Sequence, residues 1–228
     1  MTDNIAQLRE GNTVVVDTET LATDKRALVL TLSAVRFDRN AHALTELGIL
    51  FNNGAPFVDG ETTLHLKLDV TQQLLAGRSV DPGTVKWWNG RSQEARDSII
   101  NGNAVSVREA LILFSGFVQG AQLFARGTDF DPPILATLFE DFGLPVPWRF
   151  NEVRDVRTYI DALTGGTKGY LDNWPKPDWF VSHNSLHDCI RDAMQMQQAR
   201  GGNAKGTPSI PDGWVATQPH NDDSQKEC

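Results

Sequence analysis

The chain has 228 residues, of which 40% are hydrophobic and 22% charged, values that fit one globular domain with or without appendages. No apolar run approaches the roughly 20 residues that span a bilayer, and residues 1–12 lack the basic start and apolar core of a secretory signal. The net charge of −8 argues against a protein that holds long duplexes through many lysine and arginine contacts to phosphate.

The first quarter of the chain is predicted to form three strands. Apolar and β-branched runs occupy residues 13–17, 28–37 and 44–52, and polar turn-like segments separate them. Because these links are short, neighbouring strands are expected to pair antiparallel.

Helices are predicted for the next part of the chain. The segment 68–77 begins near an aspartate and ends at a glycine, and 81–101 contains a Pro-Gly start followed by a second helix start at a serine. In the segment 106–119, Ser106 stands three residues before Glu109, which is the capping-box spacing.

Strands and helices alternate in the second half. The predicted helix over 131–142 has Asp131 at its cap, Pro132 at its first position and Gly143 after its end. The remaining predicted elements are a strand over 122–126, a strand over 149–153, a short helix over 155–163 and a long helix over 184–200.

The element order βββ-α-β-α-β-α predicts a mixed α/β layer architecture. Residues 1–200 are expected to form one domain, and the polar residues 201–228 a flexible tail with Trp214 as an anchor. Cys189 and Cys228 are too few for a disulfide framework, so a reducing, cytoplasmic setting is expected.

Asp17-Thr18-Glu19 follows the apolar part of the first predicted strand. Residues i and i+2 of a strand face the same way, so Asp17 and Glu19 project together. Two neighbouring carboxylates repel each other unless a cation is present, and oxygen ligands of this kind suit Mg²⁺ or Mn²⁺. Taken alone, a pair of this kind is more often a solvated acidic turn.

A second candidate is Asp131 in ARGTDFDPPIL. An aspartate before Pro-Pro is an ordinary helix cap, and Asp129 competes with Asp131 for any role in chemistry. The two roles are compatible, because a cap could also direct one carboxylate oxygen at a metal.

A third candidate is the segment 182–189, SHNSLHDC, at the start of the last helix. Asp188 and Asp192 lie four residues apart on one helical face, and His183 at the helix entrance could serve as a general base. His183 and His187 could also bind zinc, although no HExxH pattern surrounds them. A structural cap or surface segment is the alternative.

The order of these three segments resembles the DEDD exonuclease superfamily, in the branch with a catalytic histidine, and most closely the phage exonuclease A (DexA-like) family. Relatives of that family include small bacterial 3′→5′ exoribonucleases. The resemblance runs from about Thr13 to Ala199 and includes the segments 85–96 and 144–161. It implies a ribonuclease H-like fold, in which helices flank a mixed five-stranded sheet (an antiparallel meander plus parallel strands).

Carried over residue by residue, the resemblance makes His183 the general base and assigns four carboxylates to metal binding: Asp17, Glu19, Asp131 and Asp188. It further implies two Mg²⁺ or Mn²⁺ ions per site. The expected substrate is the 3′ end of a single strand, with single-stranded DNA favoured over RNA, and the expected products are nucleoside 5′-monophosphates.

The resemblance also implies where substrate lies. Thr18 lies between the two acids, and Thr20 and Leu21 follow them; all three are expected near the terminal nucleotide. Trp87 and Trp88 are adjacent on a helix and point apart, so at most one could stack on a base while the other joins the core.

Arg126 marks a departure from the family. Members of the family often have asparagine four or five residues before the aspartate that corresponds to Asp131, where this chain has Arg126. It could contact a phosphate. Three other functions stay open: an exoribonuclease with the same site, a nucleic-acid-binding module without catalysis, and an acidic-triad nuclease of the integrase kind, in which His183 would have no role. No membrane partner is expected, and the oligomeric state is left open.

Overall fold

The computed structural model describes residues 12–40, 51–52, 55–56, 58–171, 174 and 176–201. The strands are β1 Thr13–Thr20, β2 Val29–Phe37, β3 Phe51–Asn52, β4 Ala55–Pro56, β5 Thr63–Lys67, β6 Gln122–Ala125 and β7 Arg154–Asp155. The helices are α1 Val70–Leu75, α2 Pro82–Asn89, α3 Gln93–Ile100, α4 Val107–Val118, α5 Asp131–Asp141, α6 Val156–Thr164 and α7 Ser185–Arg200.

A five-stranded sheet in the order β5-β2-β1-β6-β7 forms the centre of the fold. β1 pairs antiparallel with β2, and β2 antiparallel with β5, whereas β1, β6 and β7 run parallel to one another. This confirms the predicted mixed sheet, with a meander on one side and parallel strands on the other.

The central strand β1 is apolar on both faces because helices cover both faces of the sheet. Val14 and Val16 pack into a core that α4 and α5 complete, whereas Val15 packs into a second core with α6 and α7. Successive side chains of a strand point to opposite faces, so Asp17 and Glu19 share the face of Val15 and lie beneath α7.

Among the described residues, the third strand of the meander is β5, a segment for which no strand was predicted. Residues 41–50 lie outside the described residues, and Phe51–Asn52 pairs with Ala55–Pro56 in a separate two-stranded sheet. β5 reads TLHLK, a short alternation of polar and apolar residues that is typical of a strand with one apolar face.

The predicted strand over 149–153 is wrong, since these residues form a turn and β7 begins at Arg154. The N–H of Glu152 donates to the carbonyl of Arg149 at 3.0 Å, while the N–H of Arg149 donates to the Glu152 carboxylate at 2.8 Å. Phe150 between them is 99% exposed.

The helix starts read from the sequence are largely confirmed. Asp69, Asp81, Ser92 and Ser106 each accept a backbone N–H at the N-termini of α1 to α4. No helix among the described residues is long and apolar enough to cross a membrane. The predicted tail from 202 onward, with Trp214 and Cys228, lies outside the described residues.

Candidate active site

Three acidic side chains meet where β1 ends beneath the first turn of α7. Asp17 and Glu19 come from alternate positions of β1, and Asp188 from α7. One carboxylate oxygen of each lies within 4.8 Å of the others, and Glu19 and Asp188 are buried. The structure therefore brings together three of the four carboxylates that the sequence assigned to a metal.

Asp131 joins this acid cluster in a way that the sequence did not predict. The N-cap of α5 is Phe130, and the Asp131 side chain does not cap the helix. Its Oδ1 instead accepts the N–H of Thr18 at 3.0 Å and the Thr18 hydroxyl at 2.6 Å. The competing Asp129 is exposed. Thr18, predicted to contact substrate, thus holds Asp131 and leaves its Oδ2 available as a ligand.

The carboxylates of the acid cluster hold protons more tightly than ordinary acids. Desolvation, and then the charge of Asp131, raises the pKa of Asp17 well above its usual value. Desolvation also raises the pKa of Glu19 well above its usual value, that of Asp131 to about 7 and that of Asp188 to about 6. Such a group of buried, mutually repelling carboxylates favours the binding of a cation.

The shifts predict a metal-free protein that loses stability as pH rises above about 6.5. A carboxyl whose pKa is higher in the folded than in the unfolded state stabilises the fold most at pH values below its unfolded pKa. This stabilisation is lost as the pH rises through the pKa of the folded state, which is about 7 for Asp131. His65 and His187, whose pKa burial lowers to about 4, contribute in the opposite sense and only below the unfolded histidine pKa. In EDTA the melting temperature should fall between pH 6.5 and 8, and less steeply in Asp17→Asn. A flat profile would contradict this.

One cation of the protein already faces the acid cluster. Arg191, one turn beyond Asp188, donates Nη1 to Asp188 Oδ1 at 2.5 Å and Nε to Asp192 Oδ1 at 2.9 Å. Its charge opposes the rise in the pKa of Glu19 and of Asp188. Arg191 therefore offsets part of the negative charge and fixes one oxygen of Asp188.

Replacing Arg191 by methionine is expected to destabilise the metal-free protein by about 3 kcal/mol, since it leaves the buried Asp188 carboxylate without its cationic partner and Asp192 with Arg126 alone. Mg²⁺ should raise the melting temperature of this variant more than that of the wild type, because the acid cluster without Arg191 carries more uncompensated negative charge. Thermal denaturation with and without Mg²⁺ measures both effects. Arg200→Met, at the exposed end of α7, is the matched control and should change neither.

His183 lies at the entrance to α7 in a left-handed backbone conformation with φ of 64°. A non-glycine residue in this region carries strain of about 1–3 kcal/mol, and such strain clusters at functional sites. The N–H of His183 donates to Asp188 Oδ2 at 3.0 Å, and the ring meets Trp87 edge to face at 4.8 Å between centroids. These contacts fix His183 next to the acid cluster.

His187 has a structural role instead. Its Nδ1 accepts the N–H of Val181 at 3.0 Å, and its ring contacts Trp179 at 5.2 Å. Within the described ranges, the group suited to a metal is the trio Asp17, Glu19 and Asp188, without histidine, so a zinc site on His183 and His187 finds no support.

One of the two adjacent tryptophans belongs to the core and the other is partly exposed. Trp88 is buried, and its Nε1 donates to the carbonyl of Thr20 at 2.9 Å, which ties α2 to the end of β1. Trp87 is 39% exposed, with the Arg91 guanidinium 4.4 Å from its ring centroid. The Thr20 hydroxyl donates to the carbonyl of Ala22, so both the hydroxyl and the carbonyl of Thr20 are bonded within the protein, and Leu21 stays a candidate contact for a nucleotide.

The predicted phosphate contact of Arg126 needs correction. Its Nε donates to both oxygens of Asp192 at 2.9 and 3.0 Å, Nη1 to the carbonyl of Gly169 and Nη2 to Gln195. The guanidinium also stacks on Tyr170, and 6% of the side chain is exposed. Arg126 is thus bound within the protein and orients Asp192.

Three comparisons relate the chain to known proteins. Residues 12–199 match the family described as the 3′-5′ exoribonuclease Rv2179c-like domain. An exodeoxyribonuclease of Enterobacteria phage T4 is 29% identical over 209 residues, which cover 81% of this chain and 87% of the phage protein. An Exonuclease I from Methylocaldum szegediense shares the fold, with a TM-score of 0.51 and 12% identity over 84% of this chain. The chain spans 41% of the length of that solved structure.

Proposed function

The chain belongs to the family of 3′-5′ exoribonuclease Rv2179c-like domains, and we propose that it hydrolyses single strands from the 3′ end with divalent cations. It is a hydrolytic exonuclease of the DEDDh type with the ribonuclease H-like fold.

The observation that carries the proposal is the cluster of raised-pKa carboxylates next to His183. Asp17, Glu19 and Asp188 converge within 4.8 Å, and Asp131 adds its charge to the pKa of Asp17. Oxygen ligands of this kind fit Mg²⁺ or Mn²⁺, and four carboxylates provide enough ligands for two ions. When bound, the ions supply positive charge for the phosphodiester and lower the pKa of the attacking water.

The protein's own residues then orient the reactants and move the proton. His183 accepts the proton of the attacking water. The hydrogen bond from its backbone N–H to Asp188 holds the residue beside the acid cluster. Leu21 and the exposed face of Trp87 border the space for the terminal nucleotide. The released product is a nucleoside 5′-monophosphate.

Two substrates are compatible with the site. The phage relative is an exodeoxyribonuclease, which favours single-stranded DNA, whereas the family description names exoribonucleases, which favours RNA. We infer DNA as the preferred substrate, because the phage protein matches over 87% of its own length. The proposed setting is the cytoplasm, or the host cytoplasm for a phage-encoded chain.

A nucleic-acid-binding module without catalysis is the weaker reading. A module without catalysis could lose any of the residues that the reaction needs. This chain keeps all five of them, namely Asp17, Glu19, Asp131, His183 and Asp188. An acidic-triad nuclease would leave the strained, tightly packed His183 without a task.

The test is a degradation assay on 5′-labelled single strands of DNA and RNA with matched sequences, in Mg²⁺ and in EDTA. The expected result is a ladder that shortens one nucleotide at a time from the 3′ end, faster on DNA, and only with the cation. A faster RNA ladder would reverse the sugar preference, and degradation in EDTA would overturn the metal dependence.

A further inference from the structure

A polar pocket of about 400 Å³ opens between β5, helix α3 with the loop that follows it, and the entrance to α7. Half-buried His65, Lys67 and Asn184 form its inner wall, and its outer wall includes exposed Asn101 and Asn103 and the carboxylates of Glu94 and Asp97. None of these residues belongs to the acid cluster, but Asn184 directly follows the general base His183.

The pocket lies on the same face of the sheet as the acid cluster. Asp17 is opposite Ser33 on β2, and Ser33 is opposite His65 on β5, so all three side chains point toward α7. Neighbouring strands are about 4.8 Å apart, which places His65 about 10 Å from Asp17 across the sheet. Lys67 follows on this face, opposite Thr31.

A chain of hydroxyl groups ends at Nδ1 of His65. Thr31 Oγ1 lies 2.8 Å from Ser185 Oγ, which lies 2.7 Å from Ser33 Oγ, which lies 2.7 Å from His65 Nδ1. If each hydroxyl donates to the next, His65 Nδ1 accepts at the end and every hydroxyl proton is used. The imidazole then carries its proton on Nε2, and burial keeps it neutral by lowering its pKa to about 4.

Asn184 and Lys67 add two more donors. Asn184 Oδ1 accepts the N–H groups of Leu186 and His187 as the cap of α7, which leaves its Nδ2 as a donor. Lys67 Nζ has a long contact of 3.5 Å to the carbonyl of Asp97, and the Asp97 carboxylate also attracts its charge. A lysine with two neutral N–H donors suits a singly charged phosphodiester better than a metal cation.

The outer wall suits a different part of the same ligand. Asn101 and Asn103 offer amide donors and acceptors, as the edge of a base requires. Asp97 accepts from the Gln93 amide at 2.7 Å, so its charge is partly satisfied within α3. The volume is within the range of small-molecule sites.

We propose that this pocket binds the nucleotide that precedes the one being released, with the 5′-phosphate of that nucleotide on Lys67, His65 and Asn184. The inference rests on the proposed exonuclease function and adds a subsite to it. The pocket would hold the strand one step upstream of the bond that is cleaved.

The test compares two thymidine dinucleotides, with and without a 5′-phosphate, as substrates of the full chain in Mg²⁺. Both contain the same scissile bond, so the ratio of their kcat/KM values isolates the upstream phosphate. The wild type should favour the phosphorylated dinucleotide at least tenfold. Lys67→Met should bring the ratio close to one, and Lys67→Arg should keep most of it.

Lys168→Met removes the same charge from an exposed position outside the pocket and should keep the wild-type ratio. A wild-type ratio near one, or a Lys67→Met ratio equal to that of the wild type, overturns the subsite while leaving the exonuclease function intact. If neither dinucleotide nor a longer single strand is hydrolysed, the proposed function fails and the subsite fails with it.

Discussion

Replacing Asp17 by asparagine is expected to lower the rate of hydrolysis by about three orders of magnitude and to leave the fold intact. Asp17 is the side chain whose pKa both Asp131 and Glu19 raise, which places it at the centre of the acid cluster. Losing one charged ligand removes several kcal/mol of transition-state stabilisation, and each 1.36 kcal/mol is worth tenfold in rate. Single-turnover hydrolysis of a labelled single strand measures the loss.

Stability separates this effect from misfolding. In EDTA the Asp17→Asn variant should melt no lower than the wild type, because the substitution removes one of several mutually repelling carboxylates. The increase in melting temperature on addition of Mg²⁺ should largely disappear. Asp129→Asn, two residues from Asp131 but exposed, is the matched control and should hydrolyse normally. Wild-type activity of Asp17→Asn would refute the assignment of Asp17.

Replacing His183 by alanine is the second large change, with an expected loss of about 10²–10⁴ in kcat, the usual contribution of a general base. Unlike Asp17→Asn, this variant should keep the Mg²⁺-induced increase in melting temperature, since all four carboxylates remain. The backbone strain at φ of 64° does not depend on the imidazole, and the His183 N–H can still donate to Asp188.

The two variants together distinguish ligand from base. Loss of both activity and Mg²⁺ stabilisation in His183→Ala would mean that the ring holds the acid cluster in place. Full activity would favour the acidic-triad alternative, in which no histidine takes part. Only loss of activity with Mg²⁺ stabilisation retained agrees with a general base.

Local patterns in the sequence were enough to predict the parts of the site that lie on single elements. The spacing of Asp17 and Glu19 follows from the two-residue period of a strand, and Asp188 follows from the register of α7. Asn184 caps that helix, as residues of this type do. The convergence of these side chains was expected only from the family resemblance.

Contacts between distant segments account for the errors. Asp131 before two prolines has the pattern of a helix cap, but its carboxylate bonds to Thr18, 113 residues away. Arg126 binds Asp192, 66 residues away, and no local pattern indicates that partner. β5 was missed because five alternating residues give a weak signal.

The role of Arg191 also could not be predicted from local sequence patterns. An arginine three residues after an aspartate on a helix is ordinarily a surface ion pair of small effect. Here the pair is largely buried and faces the acid cluster. Only the packing of α7 against β1 and β2 turns this common spacing into a counter-charge for the site.

The most direct test of the account is the identity of the first product from a single strand of DNA labelled at its 3′-terminal nucleotide. With Mg²⁺ the wild type should release the label at once as a nucleoside 5′-monophosphate, and neither EDTA-treated protein nor Asp17→Asn should release it. Label that first appears in longer fragments, or release that continues in EDTA, would contradict a metal-dependent 3′→5′ exonuclease.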